Sequence, residues 1–179
     1  MRVSLSLFAR RGYEAVSVSD IAGELGITKG ALYRHYESKQ AIFDAILRRM
    51  EERDTELAQA DNVPLEGEES GASLDDILSF SKSMLRYWTE DCFARDFRRM
   101  LTIEQFRSAE LMALYQQYLG SGPVEYVCMM FSELGCKRAE EKARELCGIM
   151  HLCYAACDGS DDVERELTIA EKMIDEFHL

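Results

Sequence analysis

The sequence predicts an all-α protein: an N-terminal three-helix module over residues 1–50, then a larger helical body over residues 51–179. Three observations carry this expectation. Only two prolines, Pro64 and Pro123, interrupt 179 residues, so long helices can run unbroken. Leu, Ala, Met, Glu and Arg are plentiful, and no alternating Val/Ile/Thr-rich run marks a strand. Apolar residues also recur at three- and four-residue spacing along most of the chain.

The elements follow in order. A short first helix covers about Val3 to Arg11. Ser17 is placed to N-cap a second, in which Val18, Ile21, Ala22 and Leu25 keep helical spacing. Gly26 stands where the chain must turn sharply, because glycine tolerates the left-handed conformation at a helix end. Ile27 is expected to plug the gap between the two helices. Thr28 caps another short helix, Lys29 to Tyr36, with Ala31 and Leu32 inward and Lys29, Gly30, Tyr33, Arg34 and His35 outward. Two short helices across a tight glycine turn form a helix-turn-helix, the unit whose second helix fits the major groove of DNA.

Ser38 begins a long helix to about Ala60, with Ile42, Phe43, Ile46, Leu47 and Met50 as its inner stripe and Glu51 to Glu56 as a solvated face. Residues 61–73, DNVPLEGEESGAS, read as a linker or mobile loop. Ser73 caps a helix to about Glu90. Further helices are expected over Phe93–Arg107 and Ala109–Leu119, and from Pro123 towards Leu134 after the break at Gly120 to Pro123. Ala139–Cys157 and Val163–Phe177 close the chain as a helical pair. Within that pair Leu146 to Cys157, LCGIMHLCYAAC, is apolar nearly all round and implies burial on every side.

One group of residues is recognisable as a set: Leu7-Phe8, Gly12-Tyr13, Ser17-Val18, Ile21-Ala22, Gly26-Ile27, Thr28-Lys29-Gly30, Leu32-Tyr33, His35-Tyr36 and Ser38-Lys39. In this order and spacing they resemble the N-terminal domain of TetR-family transcriptional regulators, over roughly the first 50 residues. The resemblance implies that Thr28, Lys29 and Gly30 approach base edges, that Tyr33, His35 and Lys39 contact phosphates, and that Ser17 and Ser19 touch the backbone of the other strand. It implies a homodimer formed by the last two helices, a near-palindromic double-stranded operator, and repression as the commoner outcome. The helix from Lys39 would join the DNA-binding head to the body, so that movement of the body re-aims the head. The family pattern has several residues, often basic, before the first helix, so a start at Met1 suggests either truncation or a member without an N-terminal arm. The body is expected to hold a small-molecule effector. Trp88, Phe97, Met100, Tyr115, Tyr126, Met130 and His151 are the candidate lining, and each is also an ordinary core residue.

Charge sorts along the chain in the same sense. The net charge is −12, yet residues 1–50 hold eight Lys/Arg against five acids, and the remaining 129 hold 13 against 28. A basic head on an acidic body confines phosphate attraction to one end. No apolar run approaches the roughly 18 residues of a membrane span, and no secretory apolar segment follows Met1, so a cytoplasmic protein away from membranes is expected. Disulfides are not expected among the six cysteines, none of which forms a CxxC. Cys147 and His151 lie about 40° apart on a helix, as do Cys153 and Cys157, but the two pairs point more than about 100° apart and cannot converge on one ion within that helix. A metal- or thiol-responsive regulator is the alternative reading. A helical enzyme or carrier is the remaining one, against which stands the lack of a phosphate loop, HExxH, Glu-x-x-His or nucleophile elbow. No catalytic residue, metal or cofactor is assigned.

Overall fold

Capping chemistry sets most of the helix boundaries. The computed structural model describes residues 1–60 and 71–179, which form ten α-helices and, among the described residues, no strand. They are α1 (Arg2–Arg11), α2 (Val18–Glu24), α3 (Lys29–Tyr33), α4 (Lys39–Ala60), α5 (Leu74–Glu90), α6 (Cys92–Glu104), α7 (Ala109–Leu119), α8 (Ser121–Glu133), α9 (Ala139–Gly159) and α10 (Val163–Asp175). Ser17 and Ser73 each form a capping box with the acid three residues on, Asp20 and Asp76. Thr28 and Ser38 accept from the amides of Ala31 and Ala41 at 3.1 and 3.0 Å, and so open α3 and α4.

The helices divide into two compact units. The first comprises residues 1–57 and 92–114, so the fold around the helix-turn-helix reaches beyond residues 1–50 and takes in α6 and the start of α7. α1 lies along α6, and Leu5, Phe8, Ile21, Ile42, Phe43, Ile46, Met50, Phe97, Met100 and Leu101 are buried as its core. The second unit comprises residues 58–91 and 115–179. In it α9 packs against α8, α10 and α5, and α10 packs against α5, over Ile77, Leu85, Phe131, Leu146, Leu167 and Ile174. Charge reinforces the α5–α10 seam. Arg86 donates to Glu171 at 2.6 and 3.0 Å and to Glu164 at 3.1 Å, and Lys82 pairs with Asp175 at 2.5 Å. These carboxylates, Glu171 first, hold the Arg86 guanidinium even further above neutrality than usual.

Five expectations change. α3 ends at Tyr33 rather than Tyr36, because the amides of Arg34 and His35 bond to carbonyls three residues back in a tightening last turn. α6 ends at Glu104 rather than near Arg107, and Phe106 beyond it is 82% exposed. Ile27 does not plug the gap between α2 and α3. It is 41% exposed, since Ile21, Ala22 and Leu32 already fill the inner side of so small a unit. The charged stretch of α4 is solvated at Glu51, Glu52, Thr55 and Glu56 but not at Asp54. That side chain is half-buried with Oδ1 unpartnered, and burial pushes its carboxyl up to about 7. Finally, Leu146 to Cys157 is not covered all round: Leu146, Cys153, Tyr154 and Cys157 are buried, whereas Gly148, His151, Leu152 and Ala155 are exposed. The loop expected over residues 61–73 lies, apart from residues 71–73, outside the described residues.

Candidate nucleic-acid interface

The helix-turn-helix rests on a corner built by Gly12 and Tyr13. The Gly12 amide closes α1 onto the Phe8 carbonyl at 2.8 Å, and its φ of +85° is a conformation that glycine adopts without steric cost. A Cβ at this position would lie 2.2 Å from Oε1 of Glu104, a fully buried carboxylate on α6 that faces Arg107 at 3.5 Å. Tyr13 turns its ring into the core, 5.1 Å from Phe8 and 4.9 Å from Phe43 between centroids. Its hydroxyl donates to Gln40 Oε1 at 2.9 Å. Burial pushes this phenol up to about 12, and the Glu14, Asp44 and Glu110 carboxylates add to the effect. Lys39 completes the corner. Its ammonium donates to the Tyr13 carbonyl at 2.9 Å and lies 4.2 Å from the Tyr13 ring centroid.

From this base α2 and α3 are set by local bonds. The Ser17 hydroxyl accepts from the Asp20 amide and donates to Asp20 Oδ2. With the Ser17 amide and Arg11 beside it, that hydroxyl holds the Asp20 carboxyl down to about 2. Gly26, at φ +66°, makes the turn, and the Ile27 amide bonds to the Ala22 carbonyl at 3.0 Å. Leu32 anchors α3 at 4% exposure.

Of the residues predicted to meet DNA, Ser19, Thr28, Lys29, Gly30, Tyr33 and His35 are exposed, five of them on or beside α3. Nothing within 4 Å other than the Thr28 hydroxyl at 4.0 Å faces the open side of Gly30. The Lys29 ammonium sits 5.8 Å from the Tyr33 ring centroid, so both are presented on one surface. Ser17 and Lys39 differ from the rest, because the hydroxyl of the first is engaged in the cap and the ammonium of the second in the corner. Tyr13, Gln40 and Glu104 position the surface without joining it. Gly12-Tyr13 belonged to the recognisable pattern, but Glu104 is remote in sequence and no local signal marks it.

The residues predicted to line an effector pocket do not assemble together. Phe97 and Met100 are fully buried in the first unit. Trp88, Tyr115, Tyr126, Met130 and His151 belong to the second. There Trp88 lies 6.3 Å from Tyr118 between centroids, and the Tyr115 hydroxyl is 3.2 Å from Nε2 of His151. Met130 is buried, Tyr126 is half-buried, and burial pushes the Tyr126 phenol up to about 12. An open surface groove of about 310 Å³ in this unit is lined by Ser79, Lys82, Ser83, Arg86, Glu171 and Asp175 on the α5–α10 seam, and none of the predicted pocket residues lines it. Among the described residues no group of three or more His, Cys, Asp or Glu is placed to hold a metal ion, and no helix is long and apolar enough to cross a membrane.

Residues 1–46 match the family model of bacterial regulatory proteins of the tetR family. Residues 1–46 thus form a domain of that family. It is 48% identical over 46 residues to the HTH-type transcriptional repressor KstR2 of Rhodococcus jostii, an alignment covering 26% of this chain and 22% of KstR2. It is 30% identical over 118 residues to the HTH-type transcriptional regulator AcrR of Shigella flexneri, covering 64% of this chain and 51% of AcrR. In both cases the chain spans less than two thirds of the relative's length. A TetR-like transcriptional regulator from Rhodococcus sp. RHA1 superposes with a TM-score of 0.70 over 96% of this chain and 89% of its own, at 18% identity. At that identity the likeness establishes the fold alone: the all-helical architecture continues past the 46 residues that the family model covers.

Proposed function

We propose that this protein is a homodimeric transcriptional regulator of the tetR family, most simply a repressor, that grips a near-palindromic operator through α3 and is released by a small molecule bound in its body. The observation that carries the DNA-binding part is the first turn of α3. Thr28, Lys29 and Gly30 stand exposed there, with open space over Gly30 for a close backbone approach to base edges. Tyr33 and His35 beside them suit phosphate contacts, and Ser19 adds a hydroxyl at the start of α2. Ser17 and Lys39 would contribute only what their structural bonds leave over, an oxygen lone pair and the remaining ammonium protons.

The dimer is supported by a stripe on the last two helices. Gly148, Leu152 and Ala155 on α9 follow one another at four- and three-residue spacing, and Leu152 is 67% exposed. Ile169 and Met173, four residues apart on α10, are 42% and 44% exposed. A second copy presenting the same stripe would cover both in a four-helix arrangement. A single head reads too few base pairs to select a genomic site, which is a further reason for two. For the effector, the half-buried rings of Tyr115 and Tyr126 and the Tyr115–His151 pair offer polar tips beside apolar walls in the second unit.

The test is fluorescence anisotropy of the protein on DNA flanking its own gene, with scrambled DNA alongside, at two salt concentrations. The expected result is preference for one fragment with a log–log salt slope of about −0.9 for each phosphate contacted. Salt-insensitive binding without preference overturns the reading.

A further inference from the structure

Where α9 meets α10, two thiols lie in contact. Cys153 and Cys157, one turn apart on α9, place their sulfurs 3.8 Å apart and are 4% and 5% exposed. Each also leans on the neighbouring helix: Cys153 Sγ donates to the Glu166 carbonyl at 3.6 Å and Cys157 Sγ to the Val163 carbonyl at 3.9 Å.

That spacing selects among the centres that bind thiols. One atom bonded to both sulfurs at about 2.3 Å, an ordinary zinc–thiolate length, would subtend about 110° at the observed separation. An ion preferring linear coordination would need the sulfurs about 4.6 Å apart at the same bond length. Zinc would need two further protein ligands to complete a structural site, and no described group of three or more His, Cys, Asp or Glu offers them. A pyramidal centre that takes two thiols and brings its own third substituent fits the ligand count, and its narrower angle needs the two sulfurs only slightly closer than they stand.

We propose that Cys153 and Cys157 form a dithiol site for a trivalent arsenical. The reaction is a condensation. The two S–H bonds and the arsenic–oxygen double bond of an R–As=O reagent are broken, two As–S bonds form, and the oxygen leaves as water with the two thiol protons. Nothing is oxidised or reduced. Neutral thiols go in and a neutral adduct results, which suits a site where burial, with Cys157, Glu166 and Glu171 adding to it, pushes the Cys153 thiol up to about 12. Alkylation, which needs the thiolate, is slowed by the same burial. Entry is from the end of the helix, since Cys157 lies in the last turn of α9, where opening costs least.

The test uses the folded full chain and phenylarsine oxide, read by intact mass and peptide mapping. One adduct per chain is expected, mapped to the segment holding Cys153 and Cys157 and removed by ethanedithiol. Cys153→Ser and Cys157→Ser should each lower its yield by about tenfold or more, whereas Cys147→Ser should leave it unchanged. Circular dichroism checks that each variant keeps its helicity, and Cys153→Ala and Cys157→Ala replace any serine variant that does not. No adduct on the folded wild type, an adduct mapping to other cysteines, or one that persists in the folded Cys153 and Cys157 variants overturns the proposal.

Discussion

The α2–α3 and α9–α10 pairs are both two-helix units that leave large side chains in water, but they leave out different chemistry. The first exposes Lys29, Tyr33, Arg34 and His35 around an open glycine. The second exposes Leu152, Ile169 and Met173 in helical register. Cationic and hydrogen-bonding groups are well solvated, so the α2–α3 surface costs little while it waits for phosphate. An apolar stripe loses about 25 cal/mol for every Å² left in water, so the α9–α10 surface favours being covered. On the function proposed above, the first surface suits reversible contact with phosphate and the second suits staying covered by a second copy.

The hardest test of that contrast is to charge the apolar stripe. Leu152→Glu together with Met173→Glu should convert a dimer to a monomer in size-exclusion chromatography with light scattering. Operator affinity should then fall by about 100-fold, because the second head no longer binds at high effective concentration. A variant that remains dimeric would place the interface elsewhere. Next in size is Gly12→Ala, which imposes a side chain on a positive φ and drives a methyl into the Glu104 carboxylate. A loss of about 2 kcal/mol is expected in chemical denaturation. Replacing Glu104 with Ala in the same chain should recover the steric part and leave the backbone part. Smaller still is the effect on the reading head. Lys29→Ala should cost roughly 1–3 kcal/mol on the preferred operator and less on scrambled DNA, whereas Lys39→Ala should weaken both alike and also lower the melting temperature through the lost Tyr13 bond. Equal losses on both DNAs for Lys29→Ala would remove its base-reading role.

These sites also mark how far the sequence could be read. Helix positions were legible wherever a cap and an apolar stripe coincide: Ser17, Thr28, Ser38 and Ser73 all cap as their side chains suggest. The head was legible because its function lies within one short contiguous segment. What was not legible depends on contacts remote in sequence. Nothing near Glu104 indicates that it fills the space over Gly12, and nothing near Phe97 and Met100 indicates that they join the core of the head unit rather than a pocket in the body. Periodicity also reads the segment from Leu146 as buried all round, since hydrophobicity alone does not say whether the cover is the same chain or a second copy.

The smallest expected effect separates the two ends of α4. At its start the helix is tied by Lys39 to the corner, and farther along it carries Asp54, whose Oδ1 is buried without a partner. Burial raises this carboxyl to about 7, with the Glu51 charge adding to the shift and the Arg53 charge opposing it. A folded-state value above the unfolded one means that the native protein binds this proton more tightly. The stabilisation linked to it is complete below about pH 4 and is lost as the pH rises through 7. Asp54→Asn removes the titration and leaves a neutral side chain of nearly the same shape. It should therefore be about 1 kcal/mol more stable than the parent at pH 8, with the difference shrinking towards pH 5 and the stability profile flattening between them. Thermal denaturation at a series of pH values reads this directly. A variant that is destabilised equally at every pH would show instead that the carboxylate is paired in solution and that α4 carries its charge there without cost.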